Sequence, residues 1–160
     1  MSDGDDSLET LFGRAADARA AGAPAEGVLY LRQAAERYPG AALAHLMLAL
    51  ALIDLGRAQE AAAAATEACR LAPDTAAAHR ALGRAQRLAE EPEAALAALD
   101  RALSLKPFDA DAHYERALLL AQLKRRDDAA LALKAGLVCA PKHEGLKRLA
   151  RRLGSAASSP

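Results

Sequence analysis

Three histidines, His45, His79 and His113, follow one another at intervals of 34 residues. Imidazole is the commonest protein metal ligand and a ready general base, so a regular set of three raises the question of zinc. The regularity argues against it. If one position recurs in stacked units, successive rings lie about 10 Å apart, at the spacing of packed helices. Zinc needs its histidine nitrogens at about 2.0–2.1 Å. The three rings are therefore expected to fill a structural slot, each with a ring nitrogen hydrogen-bonded nearby. His143 adjoins the turn after Pro141 and joins no cluster. Cys69 and Cys139 are the only cysteines, with no Cys-x-x-Cys pair. Both fall late in their units, two units apart, where a disulfide, with Cα atoms within about 7 Å, is not expected. They read as small apolar packers. No metal and no cofactor is expected.

Other chemistry is equally sparse. Apart from Ser104 the serines lie near the termini, and no glycine-rich phosphate loop is present. The acid pairs Glu90-Glu91 and Asp127-Asp128 stand at expected helix starts, where the helix dipole favours negative charge. A non-enzymatic protein is expected.

The elements that carry these residues follow from a second series at the same period. Pro39, Pro73, Pro107 and Pro141 are each 34 residues apart, and Ala44, Ala78 and Ala112 keep step. A fixed period of this size marks one supersecondary unit copied along the chain. The units are 8–41, 42–75, 76–109 and 110–143. Each reads as helix, turn, helix. In the third, Asp74 is placed to cap the first helix, Ala78, Leu82 and Ala85 recur at helical spacing, and Pro92 opens the second helix. Gly56 marks the inner turn of the second unit, Gly22 and Pro24 that of the first. The fourth has Lys124-Arg125-Arg126-Asp127 there, without glycine, so a different or tighter turn is expected. Gly27 and Gly136 lie inside helices, which they are expected to weaken by about 0.5–1 kcal/mol each. Residues 144–153 form an end helix, apolar at Leu146, Leu149, Ala150 and Leu153 and basic at Lys147, Arg148, Arg151 and Arg152. Residues 1–7 and 154–160 are expected to be disordered.

Composition agrees with an all-α protein. The apolar content is mostly Ala and Leu, and Trp is absent. Alanine is the best helix former and lets helices approach closely. Acids and bases number 21 each, so no chain-wide attraction to nucleic acid or membrane is indicated. The basic end from Lys142 to Arg152 lacks interleaved aromatics for base stacking, and nucleic acid is not an expected partner. The acidic start Met1 to Asp6 has no signal-peptide pattern, and the most apolar stretch, 41–52, is too short for a membrane span. A cytoplasmic location is the expectation.

The stretch Ala78-His79-Arg80-Ala81-Leu82-Gly83, followed by Ala95, Leu99, Ala102 and Pro107, resembles the tetratricopeptide repeat (TPR). Ala61, Ala68 and Pro73 match in the second unit, and Ala129, Leu133 and Pro141 in the fourth. The histidines occupy the slot of the family's first-helix Trp. The resemblance covers 8–143 and a capping helix. It implies an all-α fold, a right-handed superhelical array of four helix-turn-helix TPR units plus a C-terminal capping helix. It also implies a protein-binding adaptor or scaffold that holds a peptide or protein segment in a concave groove lined by the first helix of each unit. Chain length adds a small secretion-type chaperone for a hydrophobic client as a further reading.

On those first helices, the face opposite the packing stripe carries Glu9, Phe12, Ala16 and Arg19 in the first unit. It carries Leu43, Leu46, Leu50 and Ile53, with Met47 alongside, in the second. The third presents Ala77, Arg80, Arg84 and Arg87, and the fourth Asp111, Tyr114, Leu118 and Ala121, with Glu115 and Gln122 alongside. The first helix of the second unit is apolar nearly all round, which is the mark of a covered helix or a binding patch. The expected partner has apolar anchors for the Leu patch, where Met47 adapts to varied shapes. It has acidic residues for the arginines. Self-association through the same patch, as a homo-oligomer, is the alternative. A carboxylate-clamp groove is not expected, because that subfamily pairs its bases with asparagine and this chain has no Asn.

Overall fold

The computed structural model describes residues 6–157. Among them are nine helices and no strand: α1 (Leu8–Ala20), α2 (Pro24–Arg37), α3 (Ala42–Asp54), α4 (Ala58–Leu71), α5 (Ala76–Leu88), α6 (Pro92–Leu105), α7 (Ala110–Gln122), α8 (Arg126–Cys139) and α9 (Glu144–Ala157). They form four antiparallel pairs and an end helix. Each pair packs on the next, and the odd-numbered helices α3, α5, α7 and α9 also touch one another in sequence. The expected first segment, 1–7, lies outside the described residues except for Asp6 and Ser7, and residues 158–160 of the tail lie outside them too. The end helix is longer than expected and runs past Gly154 to Ala157.

Two turns repeat through the array. The prolines sit second in β-turns closed by Ala41 N–H to Tyr38 C=O (2.9 Å), Thr75 to Ala72 (3.1 Å), Asp109 to Lys106 (3.2 Å) and His143 to Ala140 (3.0 Å). Proline suits that position because its φ is already fixed there. The histidines then tie this turn to the following helix. Nε2 of His45, His79 and His113 lies 3.1, 2.8 and 2.9 Å from the carbonyl oxygens of Pro39, Pro73 and Pro107. The expected structural role of the histidines is seen in these three contacts.

The inner turns are also alike, which corrects the expectation of a different fourth turn. Gly22, Gly56, Glu90 and Lys124, again 34 apart, have φ of 78°, 71°, 62° and 59°. Each following N–H reaches back five residues: Ala23 to Ala18, Arg57 to Leu52, Glu91 to Gln86, Arg125 to Leu120. This is the Schellman closure, which needs a left-handed residue after the helix. Packing of the pairs imposes the turn even where no glycine is available.

Caps are few. Ser7 accepts from Thr10 N–H at 3.2 Å, and Asp109 from Ala112 N–H at 3.1 Å. Asp74 does not cap α5, which starts after Thr75 without a side-chain cap. Its carboxylate instead accepts from Arg101 at 3.2 Å. The core is thin and alanine-rich, with Leu11, Leu52, Leu99, Leu119, Leu120, Leu146 and Val28 as its largest fully buried members. Gly136 belongs to this packing. A Cβ there would lie 2.8 Å from Leu146 Cδ1 and 3.0 Å from His113 Cβ, so the absent side chain lets α9 sit down on α8. Cys69 and Cys139 are half-buried and free, and burial pushes the Cys69 thiol up.

Candidate functional site

The face built by α1, α3, α5 and α7 divides into two chemically different parts. On α3 the apolar residues outnumber the positions that the core can take. Ala44, Leu48, Ala49, Leu52 and Ile53 are buried, leaving Leu43 and Leu50 exposed by 54 % and 41 %. Leu46 and Met47 are half-buried against the core between them. Ile53, expected on the open face, is only 4 % exposed. It turns into the core because the helix is apolar all round and its inward stripe is wider than the spacing rule assigns.

Two clefts flank this patch. One, of about 460 Å³, opens between the first two pairs and is lined by Ala16, Arg19, Leu31, Met47, Leu50 and Asp54, among others. A smaller one, of about 250 Å³, is lined by Leu43 and Leu46 against Ala68, Ala72 and Thr75. Phe12 of α1, half-buried, packs on the same core cluster.

The arginines of α5 are already paired within the chain. Arg80 Nη1 donates to Asp111 at 3.0 Å, and its Nε lies 3.4 Å from Asp109. Arg84 reaches Glu115 at 3.5 Å and Asp54 at 3.9 Å. Arg87 donates through Nη2 and Nε to one Glu115 oxygen, at 2.9 and 3.1 Å. Arg87 and Glu115 are side chains of 12 % and 10 % exposure, so Arg87 is not open to a partner's carboxylate. Burying an arginine requires a paired and hydrogen-bonded acid, and α7 supplies it. Arg80 and Arg84 keep part of their surface in water.

This ladder separates the α3 patch from the residues expected on α7. Leu118 packs on the C-terminal core cluster, and the Tyr114 ring stacks obliquely on His143 with centroids 5.5 Å apart. His143 accepts from Leu146 N–H through Nδ1 at 3.1 Å and faces Asp111 through Nε2 at 3.0 Å. With Nδ1 an acceptor, Nε2 is the donor. His143, joined by Arg80, holds the Asp111 carboxyl below the usual carboxylate range. Asp111 and Glu115 lie on the face expected of them but serve as partners of the arginines, a role that spacing along α7 does not reveal, and Asp54 and Asp109 join them unexpectedly. The signal was available: Arg80–Asp111 and Arg84–Glu115 are both 31 residues apart, one repeat less about one helical turn.

Among the described residues no group of His, Cys, Asp or Glu could hold a metal ion, and no helix is long and apolar enough to cross a membrane.

Comparison with known proteins matches this architecture. The tetratricopeptide repeat profile fits residues 12–76, 47–110 and 80–144. A crystal structure of TTC0263, a thermophilic TPR protein of Thermus thermophilus, superposes with a TM-score of 0.80 at 20 % identity, over 95 % of this chain and 84 % of that one. A crystal structure of MamA protein gives 0.75 at 23 % identity, over 84 % and 73 %. The APC/C hetero-tetramer Cut9–Hcn1 gives 0.80 at 22 % identity, over 92 % of this chain and 30 % of that one. Comparison with curated proteins gives no match.

Proposed function

We propose that this chain, which belongs to the tetratricopeptide repeat family, is a non-enzymatic adaptor that holds an apolar protein segment on its concave face. One observation carries the reading: Leu43 and Leu50 stay exposed beside two clefts while the neighbouring arginines are taken up internally. The superhelix typical of the family turns the odd-numbered helices toward the groove. The apolar patch is the docking surface, with Leu43, Leu46, Met47 and Leu50 as its floor. Arg80 and Arg84 contribute at the rim, where a partner's acid competes with Asp109, Asp111 and Glu115 and gains little from a screened pair. Apolar anchors therefore dominate the partner's chemistry, and acidic residues are secondary.

A displayed peptide library tests this. Wild-type protein is expected to enrich peptides with spaced Leu-like anchors. The Leu46→Glu/Leu50→Glu variant is expected to lose that enrichment with its helical circular dichroism intact. Equal enrichment by both proteins would rule the α3 patch out. The same variant tests self-association through this patch, which predicts a fall in mass by light scattering in the absence of any peptide.

A further inference from the structure

The balanced total charge conceals a gradient. Among the described residues, 6–75 carry 9 acids and 6 bases, 76–109 carry 5 of each, and 110–157 carry 5 acids and 10 bases. Because the pairs follow one another in line, chain position is position along the array. One end is acidic and the other basic, with the neutral repeat between.

The basic end is also structurally open. Each first helix from α1 to α7 is covered by its own second helix, whereas among the described residues none follows α9. A groove of about 680 Å³ remains between α8 and α9, floored by Leu133, Leu137, Ala150 and Leu153. Arg126 and Lys134 stand on its rim, with Asp127 beside them. On its outer side Val138 is 74 % exposed. A further helix with an apolar ridge and acidic flanks would complete this end.

The acidic end presents such a ridge. Leu29 of α2 is 64 % exposed, and Glu26, Gln33 and Glu36, at helical spacings from it, are exposed on the same helix beside Arg37, while Arg32 is paired with Glu60. The equivalent residues of the other pairs are Ala63, Ala97 and Leu131, and only Leu131, on the groove-bearing α8, is likewise large and exposed, by 66 %. Leu29 leaves most of its side chain outside the packing within the chain.

We propose that copies of this chain associate head to tail, with the α2 ridge around Leu29 of one copy seated in the α8–α9 groove of the next. Glu26 and Glu36 then face Arg126 and Lys134. The complementary ends steer encounter and fix orientation, and the apolar ridge supplies the contact that charge alone does not. Such an interface is heterologous: it leaves one free head and one free tail, so it grows into a line or closes into a ring.

The test uses two charge-reversed full-length chains in sedimentation velocity. The head variant is Glu26→Lys/Glu36→Lys, and the tail variant is Arg126→Glu/Lys134→Glu. Wild type is expected to gain mass with concentration at about 0.1 M salt and to lose that gain toward about 1 M. Each variant alone is expected to be monomeric, with affinity lowered by about tenfold or more. Their mixture is expected to regain mass with concentration, because the intact head meets the intact tail and the reversed head meets the reversed tail with the charges exchanged. Leu29→Ala, at an exposed site that does not threaten folding, is expected to weaken assembly in the same assay. A wild type that stays monomeric at every concentration overturns the proposal. So does association that persists in both variants, or that is abolished by Leu50→Glu and untouched by Leu29→Ala.

Discussion

Arg87 and Glu115 face each other across the α5–α7 seam, two guanidinium nitrogens on one carboxylate oxygen at 2.9 and 3.1 Å. The pair divides the odd-helix face. On the α3 side of it the surface is apolar and open, and beyond it the repeats are locked by charge. Removing one partner strands the other in a site that little water reaches. Glu115→Leu and Arg87→Leu are each expected to cost about 2–4 kcal/mol, while the two together cost much less than the sum. Urea unfolding of the two single variants and the double variant measures the coupling. Additive losses would mean that the two side chains act independently.

The inner turns give a second prediction with the opposite sign. Glu90 and Lys124 occupy the left-handed region at φ 62° and 59°, which costs a residue with a Cβ about 1 kcal/mol. Glu90→Gly and Lys124→Gly are expected to raise stability by about 0.5–1 kcal/mol each, less the added freedom of the unfolded chain. Gly56→Ala is expected to lower it. Thermal melts of the three variants decide, and a loss in either glycine variant would show that the side chains contribute more than the strain removes.

These turns also mark the limit of what the sequence tells. The period of the prolines and histidines fixed four pairs and an end helix, because those residues do one local job each, at a turn. The conformation at Lys124 was not legible, since it is imposed by the packing of α7 on α8 and contradicts local preference. The α3 patch was legible from composition: more apolar residues than one buried stripe can absorb. The fate of the arginines was not, because it depends on which acids the next repeat brings within reach. Helical spacing along α5 is silent on that, and spacing along α3 misplaces Ile53 for another reason: a helix apolar all round buries a wider stripe than the spacing rule assigns.

Gly83 separates local propensity from packing in the same way. An alanine there would favour the isolated helix by about 1 kcal/mol. In the structure its Cβ would lie 2.6 Å from Leu99 Cγ and 3.1 Å from the Ala95 carbonyl oxygen. Leu99 is wholly buried and has little room to retreat. Gly83→Ala is therefore expected to destabilise the third pair by about 1–3 kcal/mol. Hydrogen exchange should show the loss first in α5 and α6. Unchanged protection in those helices would mean that the backbone shifts freely to admit the methyl.

The junction of α9 with the fourth pair carries the pH dependence. His143, then Arg80, depress the Asp111 carboxyl in the folded protein. A depressed acid stabilises the fold above its unfolded value, about 3.9, and that contribution disappears as pH falls through the lower folded value. Asp111 is 57 % exposed, so solvent screening keeps the effect small, about 0.5 kcal/mol or less. Asp111→Asn is expected to be slightly less stable than wild type near neutral pH, with the gap closing in acid, below the lowered folded value. Paired urea titrations at the two pH values measure it. A gap of the same size in acid would assign the loss to the amide's geometry and not to the charge.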